Sequence, residues 1–261
     1  MDQLKINEMA EILHNARLNS TAIGQFSANM DEFKRADAYS IQEEGIRMRE
    51  KAGEKIIGLK MGLTSEGKRK QMNLDAPLYG VLTDKMQVKD GGTFHLKGSI
   101  HPKIEPEIAF MIKSDLKGKI SREEVLEATE AVCPCLEILD SRYEGFKYFS
   151  MEDVISDNSS SSHYILGEWE KDFKAMDLRS LSMIMKVNGQ IVQEGRSDAI
   201  SGDPVVSVIQ LAELLAERDQ YIKAGTFVLA GAATAAVALE PGMEVSLSVE
   251  GLSDMSVNIE E

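Results

Sequence analysis

The sequence predicts an α+β protein in which a helical N-terminal segment precedes a β-rich body. Residues 1–53 contain apolar residues at helical spacing, whereas the chain from Lys55 onward consists largely of short apolar runs broken by glycines and turn residues. The chain has 261 residues, and no linker or internal repeat divides it. We therefore expect a single catalytic unit, with residues 54–261 forming its β-rich body.

The N-terminal segment contains two amphipathic stretches. In the first, Leu4, Met9 and Leu13 approximate one apolar stripe of a helix. The second, residues 33–52, repeats the pattern, and Asp31 is expected to be its N-cap. These helices are expected to pack on the main body.

The sequence pattern of the body predicts strands with a few helices between them. Ser121 followed by Glu124 is a capping-box pattern, which predicts a helix start. Asn188-Gly189 between two alternating runs predicts a β-hairpin, and residues 204–218 are predicted to be a helix. Short strands are expected from Thr226 to the C-terminal end.

The composition excludes several classes of partner. A formal net charge of −14 repels phosphate backbones and anionic lipid, so neither nucleic acid nor a membrane is expected as a partner. The two cysteines, Cys133 and Cys135, have the wrong spacing for a metal or redox pair. Two buried, reduced thiols are expected, which agrees with a cytoplasmic location.

Three glutamates are candidate metal ligands. Glu105 and Glu107 lie two positions apart in a strand-like run, so their side chains are expected to share one face. Glu137 lies in a second apolar run, where an unpaired charge is costly. Pro106 indicates an edge or irregular strand. A hard divalent cation would neutralise the three acids, but the pattern is equally compatible with a solvated pair and a Glu137–arginine ion pair.

A buried lysine is predicted beside these acids. Lys60 lies in the apolar run GLKMGL, and a buried lysine is expensive unless it has a partner. Its position favours a functional role over a simple ion pair with one of the glutamates.

Four motifs, in order along the chain, resemble those of a known family. They are GLKMGLTS (58–65), HPKIEPEIAF (101–110), PCLEILDSRYEGFKY (134–148) and DNSSSSHYILG (157–167). Together they are similar to the hydratase/decarboxylase branch of the fumarylacetoacetate hydrolase superfamily, and the similarity runs from about Lys55 to the C-terminal strands. Within that branch, the first three motifs resemble the decarboxylases more than the hydratases.

The resemblance implies a distorted, mostly antiparallel β-barrel or roll. It also implies Mg²⁺, or alternatively Mn²⁺, bound by Glu105, Glu107 and Glu137. The implied substrate is a small 2-oxo dicarboxylate, 2-oxohex-3-enedioate. Its decarboxylation to 2-hydroxypenta-2,4-dienoate belongs to meta-cleavage catabolism of aromatic compounds. A homo-oligomer, and a complex with the hydratase of the pathway, are also expected.

The resemblance further implies roles for individual residues. Lys60 is expected to act in catalysis. Arg142 is expected to act there as a carboxylate anchor, although it could equally pair with Asp140 or Glu144. The residues expected to bind substrate are Asp75, Tyr79, Lys147, Asp157, Ser161 and Thr234. His101 and His163 are each expected to be a structural or surface histidine.

Two other functions remain open at the level of sequence. One is the hydratase of the same branch, which would add water to 2-hydroxypenta-2,4-dienoate. The other is a non-catalytic partner subunit that keeps the fold, although the presence of all three glutamates and Lys60 argues against it.

Overall fold

The computed structural model describes residues 1–65, 69, 76–146 and 150–261. Its helices are α1 (Gln3–Leu18), α2 (Arg35–Lys51), α3 (Arg122–Ala128), α4 (Met151–Ser156) and α5 (Pro204–Ala216). Its strands are β1 (Ile56–Gly62), β2 (Leu78–Thr83), β3 (Gln87–Val88), β4 (Thr93–His95), β5 (Lys103–Ile112), β6 (Thr129–Leu139), β7 (Ser161–Leu166), β8 (Ser182–Val187), β9 (Gln190–Arg196), β10 (Phe227–Leu229), β11 (Val237–Ala238), β12 (Glu244–Val249) and β13 (Met255–Glu260). The predicted α+β class is confirmed.

The larger sheet has eight strands and curls into a roll. Its order is β2-β1-β10-β5-β6-β7-β3, and β11 pairs with the start of β5. Most pairings are antiparallel, as predicted, but β1 with β10 and β3 with β7 are parallel. Curling brings β7 back to β2, where the Tyr164 hydroxyl donates a hydrogen bond to the Thr83 carbonyl at 3.4 Å. We call this junction of β2 and β7 the seam.

The smaller sheet has five strands in the order β4-β13-β12-β8-β9. Its β8–β9 hairpin turns at Asn188 and Gly189, which both have positive φ, so the predicted hairpin is confirmed. The main core includes apolar residues of both sheets, such as Ile108, Phe110 and Val245.

The two faces of the large sheet have different chemistry because side chains alternate along each strand. On β5, Ile104 and Ile108 belong to the main core, whereas Glu105, Glu107 and Ala109 point to the opposite, concave face. A separate apolar cluster fills part of that face, made of Leu82, Met86, Ala109, Cys133, Cys135, Tyr164, Phe227 and Leu229. Both cysteines are buried free thiols, as predicted.

The N-terminal helices pack against the outside of the roll. The buried side chains of α1 join Ile41 of α2 and Tyr143 in one cluster. Gln42 of α2 is buried, and its Nε2 donates to the main-chain carbonyls of Tyr79 and Ile155, each at 3.0 Å. The prediction that Asp31 caps α2 is wrong, because Lys34 precedes the first helical residue and no side chain caps that end.

The later helices begin where the sequence predicts. Ser121 and Glu124 form the predicted capping box of α3. Asp203 caps α5, whose buried Val208 and Leu211 belong to the main core. In the described part of the chain, the segment Ser197–Ala216 is the one candidate membrane span by length and apolar character, and half of it is buried. Buried apolar side chains of this segment belong to the main core, so it packs as a core helix.

The seam is closed by a side chain rather than by a strand ladder. Asn158 donates from Nδ2 to the Val81 carbonyl at 2.9 Å, and its Oδ1 accepts from the Val81 main-chain N–H at 2.8 Å. The side-chain amide therefore copies the two hydrogen bonds that a neighbouring strand would make. Asn158 has a φ of 50°, a backbone conformation that asparagine tolerates better than most residues.

We predict that Asn158→Ala lowers the free energy of unfolding by about 2–3 kcal/mol, because two partly buried main-chain groups lose their partners. Chemical denaturation measures the change. Asp219→Ala is the matched control, because Asp219 is exposed with a similar φ of 55°. Equal losses in the two variants would show that backbone conformation, and not closure of the seam, sets the cost.

Candidate metal centre

Three carboxylates converge on the concave face of the roll. Glu105 and Glu107 lie on β5, and Glu137 lies directly opposite Glu105 on the antiparallel neighbour β6. One carboxylate oxygen from each residue lies within 4.8 Å of the other two. Glu107 and Glu137 are fully buried, and Glu105 is half-buried. The three predicted ligands therefore form one cluster.

Pro106 lies in a central strand and not at the edge of the sheet. On the side away from β6, β5 pairs with β10 at residues 109–111 and with β11 at 103–104. Pro106 lies in the gap between these pairings, where its carbonyl accepts from the Ala233 N–H at 3.1 Å. The N–H and C=O groups of one residue in an antiparallel strand point to the same side. The position where proline lacks an N–H therefore faces the gap, and no hydrogen bond between strands is lost. Of the two alternatives predicted for Pro106, an irregular strand is present, and β5 is not an edge strand.

The acids are fixed by contacts with neighbouring elements. Glu107 Oε2 accepts from the main-chain N–H of Gly231 at 2.7 Å, and Glu137 Oε1 accepts from the Ser161 hydroxyl at 2.9 Å. Among the described residues, none donates a hydrogen bond to Glu107 Oε1, although that atom is buried. This buried oxygen is therefore open to a partner that the described residues do not supply, and a cation would be favoured by the neighbouring carboxylates.

The backbone conformation and the close approach of Thr64 require glycine at position 231. Its φ is +107°, and a Cβ there would lie 2.4 Å from the Thr64 hydroxyl oxygen. A side chain would therefore push this loop away from Thr64 and withdraw the N–H that holds Glu107.

Lys60 is the one cation within the described cluster. It extends from β1, is 2% exposed, and places Nζ 3.0 Å from Glu137 Oε2. Burial lowers the pKa of Lys60, but Glu137, Glu105 and Glu107 more than offset this effect, so the pKa is raised. The carboxylates thus favour the ammonium form of Lys60. The sequence offered two alternatives for Lys60, an ion pair with a glutamate or a functional role, and the ion pair with Glu137 leaves room for both.

One ammonium ion leaves the cluster with excess negative charge. Burial, followed by the charges of Glu137 and Glu105, raises the pKa of Glu107 well above its usual range. A divalent cation among the three carboxylates would remove this repulsion. An all-oxygen donor set suits Mg²⁺ or Mn²⁺ better than Zn²⁺, so the residues present fit such an ion.

Arg142 and Asp157 do not face the cluster as expected. Arg142 is buried, and both its Nε and its main-chain N–H donate to the Asp157 carboxylate. Its Nη1 donates to the carbonyls of Asp140 and Ser161, and its Nη2 to that of Asp157. The chain thus supplies acceptors for this buried guanidinium in an internal ion pair, and contacts of Arg142 and Asp157 with substrate stay a prediction. Glu144 and the Asp140 carboxylate are not its partners.

The other predicted substrate residues have mixed outcomes. Tyr79 is directed to the opposite face and stacks on Tyr39 of α2, with ring centroids 4.6 Å apart, so the expected substrate contact is corrected to packing. Thr234 follows Gly231 in the same loop and packs against Gly195 of β9. Ser161 binds Glu137 and does lie at the centre. Asp75 and Lys147 are outside the described residues.

Sequence reasoning missed Ser159. A Cβ on Gly62 would lie 2.8 Å from the Ser159 hydroxyl oxygen and 3.7 Å from Lys60 Nζ, so both groups border the same space at Gly62. Residues 158, 159 and 160 all have positive φ. The run of four serines carried no signal for which hydroxyl would turn inward, because this conformation is unusual for serine.

Comparison with known proteins agrees with this geometry. Residues 55–260 match the family model described as fumarylacetoacetate (FAA) hydrolase C-terminal. A 4-oxalocrotonate decarboxylase of Pseudomonas putida is 42% identical over 257 residues, covering 98% of this chain and 97% of the relative. A 2-hydroxyhexa-2,4-dienoate hydratase of Comamonas testosteroni is 35% identical, covering 100% of this chain and 99% of the relative.

A solved structure extends the similarity to three dimensions. The 4-oxalocrotonate decarboxylase from Pseudomonas putida G7, complexed with magnesium and adipate, superposes with a TM-score of 0.96 at 41% identity. The match covers 99% of this chain and 98% of that protein. The chain therefore belongs to the fumarylacetoacetate hydrolase family, in the branch that contains these decarboxylases and hydratases.

Proposed function

We propose that the protein is a divalent-metal-dependent decarboxylase that converts 2-oxohex-3-enedioate (4-oxalocrotonate) to 2-hydroxypenta-2,4-dienoate and CO₂. The observation that carries the proposal is the convergence of Glu105, Glu107 and Glu137 around a buried Lys60. Its support from relatives is the 40–42% identity to proteins named 4-oxalocrotonate decarboxylase. Adipate, present in the related structure, is a saturated dicarboxylate of the same chain length as this substrate.

The carboxylates of Glu105, Glu107 and Glu137 would hold Mg²⁺ or Mn²⁺. When bound, this ion would chelate the substrate's 1-carboxylate and 2-oxo oxygen and act as a Lewis acid. Glu107 is positioned for this by the Gly231 N–H and Glu137 by the Ser161 hydroxyl. The residues of the chain therefore fix where the 2-oxo end of the substrate lies.

The reaction breaks the bond between C5 and C6 of the substrate. The electron pair released with CO₂ forms the C4–C5 double bond, shifts the C3–C4 double bond to C2–C3, and ends on the 2-oxygen. Lys60 Nζ, held as an ammonium beside Glu137, is positioned to stabilise the negative charge on that oxygen and to donate a proton to it. Protonation there gives the 2-hydroxydienoate.

The distal carboxylate needs a different partner from the one first expected. Arg142 is engaged by Asp157, so Lys147 remains the predicted cation for this group, with Asp75 and Thr234 as predicted neighbours of the substrate.

We also propose that the whole chain acts as one catalytic unit in the cytoplasm, where its buried free thiols would stay reduced. A homo-oligomer, and a complex with the pathway hydratase, remain predictions that native mass spectrometry can test.

A comparison of substrates tests the decarboxylase proposal. We expect the purified protein with Mg²⁺ to release one CO₂ per 2-oxohex-3-enedioate consumed, and EDTA to abolish the reaction. Hydratase activity is the alternative, because hydratases are among the relatives at 31–35% identity. Rapid loss of the diene absorbance of 2-hydroxypenta-2,4-dienoate, without CO₂ from the dicarboxylate, would reject the proposal in favour of that alternative.

Glu107→Gln tests the metal assignment. We expect Mg²⁺ affinity, measured by calorimetry, to fall at least about tenfold, because a charged oxygen ligand becomes a neutral amide. Glu130→Gln is the matched control, since Glu130 lies on β6 but is exposed. Undiminished affinity in Glu107→Gln would contradict the assignment.

Lys60→Met tests the role of the ammonium. With saturating Mg²⁺ we expect kcat to fall about 10²- to 10⁴-fold, the range for loss of a positioned proton donor. Mg²⁺ affinity should not fall, because a cation that repels the metal is removed. A normal kcat would exclude Lys60 from the chemistry, whereas loss of Mg²⁺ binding would assign it a structural role only.

A further inference from the structure

A cavity lined by arginines lies outside the metal centre. It has a volume of about 140 Å³ and is lined by Arg17 of α1, Arg49 of α2 and Arg142, together with Ser162 and His163 of β7. A smaller space of about 40 Å³ shares the same three arginines. The cavity therefore lies between the N-terminal helices and the seam of the roll, and none of the three glutamates of the metal centre lines it.

The acids of the cavity wall already have partners. Glu54 accepts from Arg49 Nε at 2.9 Å and also from the Thr83 hydroxyl. The Asp140 carboxylate accepts main-chain N–H groups of Ile100 and His101 at 2.9 and 2.8 Å. Asp157, on the wall of the smaller space, binds Arg142.

Among the residues described, Arg17 is the guanidinium of this cavity that is left without a partner, and Lys85, which also lines the cavity, is exposed. Within the described part of the chain, its half-buried guanidinium makes no hydrogen bond and no ion pair. Burial, and then the neighbouring charge of Arg49, lower the pKa of Arg17 to about 10, with Glu54 acting in the opposite direction. Glu54 offsets part of the repulsion between the guanidinium groups, and an added anion would offset more of it.

The charge of the cavity is unusual for this protein. The chain carries a formal charge of −14, so most of its surface repels anions. Three arginines and Lys85 line this cavity against the two carboxylates of Glu54 and Asp140, so cations outnumber acids there. A planar guanidinium with free N–H groups binds a carboxylate or phosphate through two parallel hydrogen bonds. The volume is similar to that of an engineered cavity of about 150 Å³ that holds benzene, so a small ion fits.

We propose that this cavity is a binding site for a small oxyanion, held by the guanidinium of Arg17 in the field of Arg49 and Arg142. Carboxylate and phosphate share the chemistry that the site recognises. Ser161 separates the cavity from the metal centre, since its hydroxyl binds Glu137 while its carbonyl accepts from Arg142 at 3.3 Å. The proposal does not depend on the reaction that the metal centre catalyses.

Calorimetric titration at constant ionic strength tests the proposal, with inorganic phosphate in one arm, acetate in a second and chloride as the reference. Each arm is run with Mg²⁺ and again in EDTA. We expect saturable binding of phosphate or acetate under both conditions, and the stronger arm identifies the class of oxyanion. Arg17→Gln should weaken that binding at least about tenfold, and Arg17→Lys should weaken it less, because the charge remains but the planar fork is lost.

Arg179→Gln is the matched control, because Arg179 is an exposed arginine paired with Asp177. The affinity of this variant for the oxyanion should stay within about twofold of the wild-type value. Circular dichroism confirms that the variants are folded. Absence of saturable binding in both arms would overturn the proposal. So would binding that Arg17→Gln leaves intact, and binding that requires Mg²⁺, which would place the anion on the metal centre.

Discussion

Mutual repulsion among three carboxylates is the constraint around which this structure is organised. Burying Glu107 and Glu137 with Glu105 beside them is costly in a medium of low polarity, and a single Lys60 ammonium offsets only part of that cost. The surrounding fold holds the acids together, and either a proton on Glu107, whose pKa is raised, or a bound cation would complete the neutralisation. The same excess of negative charge provides affinity for a divalent ion, so the feature that strains the fold is also the source of its chemistry.

Sheet geometry creates this arrangement. Alternation along β5 puts Glu105 and Glu107 on the concave face, and the antiparallel register puts Glu137 opposite Glu105. A shift of one residue in that register would turn Glu137 towards the main core. The gap between β10 and β11 admits Pro106 to a central strand and leaves room for the loop whose Gly231 N–H contacts Glu107. An apolar cluster fills the concave face elsewhere and limits the polar chemistry to the cluster of acids.

The seam links the N-terminal helices to the metal centre. Asn158 joins β2 to the turn before β7, and Arg142 fixes the same turn through Asp157. Ser161, the first residue of β7, then reaches Glu137. Helix α2 contributes Gln42 and Arg49 to the outer side of this junction. The helical segment thus stabilises the strand that carries one contact of the metal site, and it brings Arg17 and Arg49 to a cavity that the roll alone would not enclose.

The sequence by itself determined the fold class, the hairpin at Asn188-Gly189 and the capping box at Ser121, because these depend on periodicity and local hydrogen bonding. For the three glutamates the pattern left a metal site and a solvated pair with a Glu137–arginine ion pair equally open, and the resemblance to a known family favoured the metal site. The sequence also located Lys60, since a lysine in an apolar run must find an acid. Tertiary structure decided the rest. Arg142 could have paired with the carboxylate of Asp140 or Glu144 or with a substrate, and only the packing of the helix that ends at Ser156 brought Asp157 to it. Tyr79 lies on the main-core face of β2, opposite Met61 of β1, and stacks there on Tyr39. Ser159 is buried through a backbone conformation that serine rarely adopts. Contacts between residues distant in sequence depend on how strands curl and pair, and no local pattern encodes that geometry.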